Sequence, residues 1–222
     1  IGQKMNIERR DISFEDAPEA ELVVEERAGG KTVITGYAAV YDRLSLELPG
    51  NFRERIMPGA FDKVLARQRG KQDVVAVFNH DNNIVLGRTS SGTLELSSDA
   101  KGLRYEVTPP ATRADIVELI ARRDVRGSSF AFTVGTGGDA WSSDDKGSIR
   151  SVREVSGLFD VGPVVNPAYP DSSVQAALRS YEAWMETQNV KEIVKAPIAS
   201  VRSWIIEASE AWARRLNDMK NG

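Results

Sequence analysis

Val74-Val75-Ala76-Val77-Phe78, followed at once by Asn79-His80-Asp81, is the stretch from which the rest of the chain can be read. An uninterrupted apolar run of this length, ending where the chain turns polar, marks a strand buried on both faces. It delivers an imidazole to its own rim. Gly127-Ser128-Ser129-Phe130-Ala131-Phe132 is a second buried strand, and it brings a hydroxyl to a rim in the same way. Outward from these two, β-branched and aromatic residues predict strands at 7–12, 21–26, 32–41, 84–89, 93–97, 103–107, 149–155 and 158–161. Gly29-Gly30 and the segment 98–102 read as hairpin turns, and 42–50 and 135–147 as loops. A short helix is predicted over 61–68, with Pro58 near its start. A second is predicted over 112–123, capped by Thr112, with an apolar face of Ile116, Val117, Leu119 and Ile120. Many short strands, two short helices and no repeating βαβ unit predict a mainly β, α+β fold: an antiparallel or mixed β-barrel with helices packed outside.

The pattern changes near residue 181. Residues 1–180 read as the β-domain, and 181–222 as a helical tail or association element. Within the tail, 200–220 is amphipathic, with Val201, Trp204, Ile205, Ala208, Ala211, Trp212 and Leu216 on one face. Three of the four tryptophans fall in this last fifth, which suits a face seeking a partner or a second copy.

Composition narrows the function. Of 222 residues, 29 are basic and 32 acidic, so a general nucleic-acid binder is not expected. The chain has no cysteine, which excludes a disulfide framework, a thiolate nucleophile and a cysteine zinc site. No run has the length of a membrane span, and the start has no apolar core of a secretory signal. Ile1 is not a methionine, so the sequence reads as a fragment or a processed product.

His80 is the one histidine, so any covalent chemistry that uses an imidazole uses this one. A serine hydroxyl becomes a good nucleophile when a base takes its proton and a third group orients the base. Ser129, two residues after Gly127, is the nucleophile candidate, and Ser128 is a neighbour that pattern alone does not exclude; strand alternation puts only one of the two on a given face. Glu154 is the first candidate for the orienting carboxylate, with Asp160 and Asp81 as alternatives. Each residue also has a structural reading: His80 satisfied by Asp81 at a strand end, Gly127-Ser128-Ser129 as a turn, and Glu154 paired with a neighbouring arginine. The pairs Arg9-Arg10, Arg122-Arg123 and Arg214-Arg215 read as solvated faces and helix ends, or as self-processing or nucleic-acid sites.

An ordered set of segments resembles the prohead (capsid maturation) proteases of tailed bacteriophages. They are Gly36-Tyr37-Ala38-Ala39-Val40-Tyr41, Phe52-Arg53-Glu54-Arg55-Ile56-Met57-Pro58-Gly59-Ala60-Phe61, Phe78-Asn79-His80-Asp81 and Val85-Leu86-Gly87-Arg88-Thr89. Gly92-Thr93-Leu94, Lys101-Gly102-Leu103, Gly127-Ser128-Ser129-Phe130-Ala131-Phe132, Arg153-Glu154-Val155 and the run Pro163-Val164-Val165-Asn166-Pro167-Ala168-Tyr169-Pro170 continue it. The resemblance covers about residues 30 to 180. It implies a serine endopeptidase of the herpesvirus assemblin type, a β-barrel ringed by helices, with His80 as base, Ser129 as nucleophile and Glu154 as the matching third residue. The family commonly has a larger apolar residue where this chain has Ser128. The resemblance further implies action inside the assembling procapsid in the host bacterial cytoplasm. There such an enzyme cleaves scaffold, or the scaffold-like part of the major capsid protein, and often itself. It implies a homo-oligomer with no metal, no cofactor, no specific nucleic acid and no membrane. A catalytically silent assembly or scaffolding factor with the same fold is the alternative.

Overall fold

The computed structural model describes residues 7–48, 50–68, 73–167 and 175–195. The expected helix over 200–220 lies outside them. By its internal contacts the chain divides into two units, Ile1–Leu178 and Arg179–Gly222.

The first unit is mainly β. In chain order its strands are β1 (Glu8–Ser13), β2 (Val23–Arg27), β3 (Lys31–Val40), β4 (Phe52–Ile56), β5 (Val75–Phe78) and β6 (Asp81–Arg88). They continue as β7 (Leu94–Ser98), β8 (Gly102–Val107), β9 (Gly127–Val134), β10 (Asp139–Asp144), β11 (Gly147–Val152) and β12 (Val155–Val164). Helices α1 (Asp62–Gln68) and α2 (Ala114–Ala121) interrupt them, and α3 (Gln175–Lys195) crosses into the second unit. Several elements depart from the sequence reading, among them β4, where no strand is expected. Helix α2 is capped one residue later than expected: Thr112 lies in a short 3-10 turn, and the N-cap residue is Arg113, with no side-chain cap. Strand β10 lies within the expected loop 135–147.

The expected mixture of parallel and antiparallel pairing is present, but the expected closed barrel is not. Three sheets form among the described residues, ordered β1-β9-β12-β5-β6, β10-β11-β4 and β2-β3-β8-β7. Pairs β12–β5 and β11–β4 are parallel, and the other ladders are antiparallel. Closure needs a ladder between edge strands. Edge strands β6 and β7 lie side by side, but the backbone bond between them is Thr93 N–H to Arg88 O, 3.2 Å, at their connecting turn. Besides an isolated backbone bridge between Tyr41 and Ile56, side chains hold the sheets together. Phe130, Phe132, Phe61, Tyr105, Leu103 and Ile34 are buried in one shared core. Phe130 stacks on Phe132 at 4.7 Å and meets Phe61 edge-on at 5.6 Å, within the range where aromatic pairs attract.

Strand β9 lies between β1 and β12 and is buried on both faces over Gly127–Phe132. Its neighbour β12 runs close to β5: a Cβ on Gly162 would sit 1.9 Å from Val77 O. A Gly162→Ala protein must therefore move backbone, and it is expected to lose about 1–3 kcal/mol of stability. The shift of its urea unfolding midpoint measures this.

Candidate active site

Three strands of the five-stranded sheet bring the site together. Strands β5 and β6 form a hairpin in which Phe78 pairs with Asp81, so Asn79 and His80 are its loop. Both have positive φ, 53° and 56°. That is the signature of a type I′ turn, whose twist suits a tight hairpin and which asparagine tolerates well. Holding a histidine there carries a strain of about 1 kcal/mol. The neighbouring strand compensates: Asn79 N–H donates to Pro163 O at 3.0 Å, and Val165 N–H donates to the Asn79 side-chain oxygen at 2.9 Å. The turn that carries His80 is thus tied at two points to the end of β12.

The His80 ring bridges two strands. Its Nε2 is 2.5 Å from Ser129 Oγ on β9, and its Nδ1 is 2.7 Å from Asp160 Oδ1 on β12. Ser129 and Ser128 separate as strand alternation requires. Ser128 Oγ faces the core and lies 3.0 Å from the buried Tyr105 hydroxyl. Ser129, on the other face, meets the imidazole. The carboxylate beside Nδ1 is that of Asp160, one of the alternatives, and not that of Glu154. Glu154 lies in the short connection between β11 and β12, more than a third exposed, with its carboxylate 2.6 Å from Lys63 Nζ. Asp81 turns away and accepts from Asn83 N–H at 2.8 Å. Asp160 sits where the register of β12 slips between Leu158 and Asp160. Such a bulge re-aims a side chain that simple alternation would place elsewhere.

A second carboxylate approaches from β1: Asp11 Oδ1 lies 3.8 Å from His80 Nε2. Burial presses against the charged imidazole, but Asp11 and Asp160 outweigh it and push the pKa up to about 9, with Arg9 opposing them. The charged ring then donates from Nδ1 to Asp160 and from Nε2 to Ser129 Oγ. Ser129 O–H in turn donates to Arg10 O at 3.0 Å. Because the folded pKa lies above the ordinary 6.5, this group's stabilisation is complete below about pH 6.5 and is lost as pH rises through about 9. The shift corresponds to a contribution of about 3 kcal/mol. Urea midpoints of the parent chain are expected to fall across this window, and those of His80→Gln to lack that component.

Behind the site lies a buried group of charges. Arg150 on β11 donates to Glu8 Oε2 and Glu54 Oε2, both at 2.7 Å, and to Asp139 Oδ2 at 2.7 Å. Arg10 donates to Glu54 through Nε at 2.7 Å and Nη2 at 3.0 Å, and to Glu8 at 2.8 Å. Its guanidinium also lies over the Phe132 ring, 5.7 Å from the centroid. Burial pushes the Glu54 carboxyl up, but Arg10 and Arg150 outweigh it and hold it below its ordinary value. For Glu8 burial wins, and its pKa is raised. No signal in the sequence joined these residues, because they come from four strands.

Among the described residues, no cluster of three or more acidic or histidine side chains is placed to hold a metal ion. No described helix is long and apolar enough to cross a membrane.

A partly buried imidazole between a hydroxyl and a carboxylate, each on its own strand, is the arrangement used by serine hydrolases of the triad class. The sequence matches the profile of the caudovirus prohead serine proteases over residues 19–187, most of its length, and the chain belongs to that family. No curated protein matches it. Among solved structures, the bacteriophage T4 capsid assembly protease, gp21, is similar at 10% identity and a TM-score of 0.48, covering 74% of this chain and all of that one.

Proposed function

We propose that this member of the prohead serine proteases is an active endopeptidase. In this reading Ser129 is the nucleophile, His80 the general base and Asp160 the carboxylate that orients the ring. Ser129 Oγ attacks the scissile carbonyl carbon as its proton passes to His80 Nε2. Asp160 fixes the tautomer through Nδ1–H and stabilises the imidazolium. The same proton goes to the leaving amide nitrogen when the C–N bond breaks. Water, activated by His80, then releases the acyl group.

The observation that carries this reading is the 2.5 Å and 2.7 Å pair of contacts through which one ring joins Ser129 to Asp160. In this reading the enzyme works in an assembling procapsid and cuts scaffold, or the scaffold-like part of the major capsid protein, and itself; membership of the prohead serine proteases supports the setting. The helical element beyond residue 178 suits assembly with a second copy or attachment to the shell.

The test is labelling by a fluorophosphonate. Mass spectrometry is expected to find the adduct on Ser129, with none on Ser128. A chain that stays unlabelled at every pH up to 9.5 would mark a silent assembly factor. Because a charged His80 cannot accept a proton, labelling of the full chain is expected to rise with pH toward about 9.

A further inference from the structure

We infer that the edge of β9 is a groove for an extended peptide carrying a basic side chain, that β1 occupies it here as a substrate does, and that Arg10–Asp11 is the bond presented. The inference rests on the protease reading above and adds the site's specificity.

Four observations point the same way. First, β1 is an edge strand whose paired neighbour is β9, antiparallel, with Asp11 opposite Ser129 and Arg10 opposite Phe130. An extended peptide added to a free strand edge pairs in this manner. Second, the carbonyl oxygen of Arg10 is 3.0 Å from Ser129 Oγ. That places the carbonyl of Arg10 against the nucleophile. On the far side of the same peptide bond, the Asp11 carboxylate lies 3.8 Å from His80 Nε2. The residue that would leave is therefore beside the group that must protonate its nitrogen.

Third, the side chain of Arg10 fills a pocket with matching charge. Glu54 takes the guanidinium through both carboxylate oxygens, and Phe132 lies beneath it. Strand β1 brings Glu8 along with Arg10, so the formal charge of the cluster is the same with and without it; what Arg10 adds is a two-point guanidinium partner for Glu54. A cleft of about 240 Å³ lined by Arg10, Glu54, Ala39, Leu46 and Phe130 continues along the strand. Fourth, the family match begins at residue 19, so β1 lies upstream of it, while Ser129, His80, Glu54 and Phe132 all lie within it.

The step balances without a further reagent. Ser129 Oγ bonds to the Arg10 carbonyl carbon, and the C–N bond to Asp11 breaks. The serine proton reaches the Asp11 nitrogen through His80. Water then hydrolyses the ester, leaving a carboxylate on Arg10 and a free amine on Asp11. The cut releases residues 1–10, and Asp11 remains on the chain as its new N-terminal residue.

The experiment uses the full chain. Intact mass is followed at pH 7 to 9 for the parent, Ser129→Ala and Arg10→Leu, alongside fluorophosphonate labelling. Extended peptides with Arg, Lys, Leu or Glu before the scissile bond are assayed in parallel. The parent is expected to lose residues 1–10, Ser129→Ala to stay intact, and Arg10→Leu to cut at least about tenfold more slowly. Arg and Lys peptides are expected to exceed Leu and Glu peptides by at least about tenfold, since any other guest leaves the buried Glu54 with Arg150 as its one remaining cationic partner in the cluster. Labelled Ser129 with an uncut Arg10–Asp11 bond, or with a preference for acidic or apolar residues, overturns the inference and leaves the protease reading standing. Absence of labelling overturns the protease reading itself.

Discussion

Ser129→Ala and His80→Ala are each expected to lower peptide turnover by about 10⁶-fold, because members of a triad act as one unit and loss of either removes nearly all it supplies. The third position separates the two carboxylates. Asp160→Asn keeps the shape of the site, but its amide donates toward Nδ1 and favours the wrong tautomer. A loss of about 10⁴-fold in kcat/KM is expected. Glu154→Gln removes only an ion pair with Lys63, partly exposed on both sides. Such pairs contribute at most about 1 kcal/mol to stability, and turnover should not change. Ser128→Ala is the control on the other face. It removes a hydroxyl bonded to Tyr105 in the core, so it should lower the unfolding midpoint while Ser129 still takes the fluorophosphonate. The result that would sink the assignment is a Glu154→Gln chain that fails while Asp160→Asn cleaves normally.

The contrast between Glu154 and Asp160 also indicates how far residue patterns reach. Strands defined by uninterrupted apolar runs, such as β5 and β9, were legible because burial on both faces leaves little ambiguity. So was the pairing of His80 with a serine before Phe130, since each stands at the rim of such a run. The choice of the carboxylate beside His80 Nδ1 was not, because the placement of Asp160 depends on the bulge between Leu158 and Asp160, and a slipped register leaves no mark in the alternation of a short strand. Strand β4 hid for another reason. Its sequence Phe52-Arg53-Glu54-Arg55-Ile56 looks like a charged surface run, yet Glu54 is 3% exposed. Burial of that carboxylate makes sense only once Arg10 and Arg150 arrive from other strands. Strand β10 is rich in serine and aspartate and has weak β-propensity; it forms because its hairpin partner β11 pairs with it from Asp139 through Asp144. Closure of a barrel was over-read, because strand number does not say whether edge strands meet as ladders.

Removal of Arg150 is expected to have the largest effect on stability. This guanidinium is 1% exposed and stands at the seam between two sheets. Glu8 comes from the five-stranded sheet, and Glu54 and Asp139 come from the three-stranded one. Burial opposes the charge on Arg150, but Glu54, Glu8 and the rest of the cluster outweigh it and raise its pKa. Arg150→Met leaves an apolar side chain of similar length facing carboxylates that have lost their shared donor. Breaking a buried pair from one side costs about 3–5 kcal/mol, because the desolvated partner remains. Urea unfolding at pH 7 should register this as a lower midpoint with little change in slope. The double change Arg150→Met with Glu8→Gln removes part of the stranded charge. It is expected to recover at least about 1 kcal/mol relative to additivity, as coupled neighbours do. Strand β1 takes part in this seam through both Glu8 and Arg10. The same substitution should therefore loosen β1, and hydrogen exchange at the amides that pair β1 with β9 should quicken before exchange in β3 and β8 does. Equal protection of β1 in the parent and in Arg150→Met would mean that the backbone ladder alone holds the strand over Ser129.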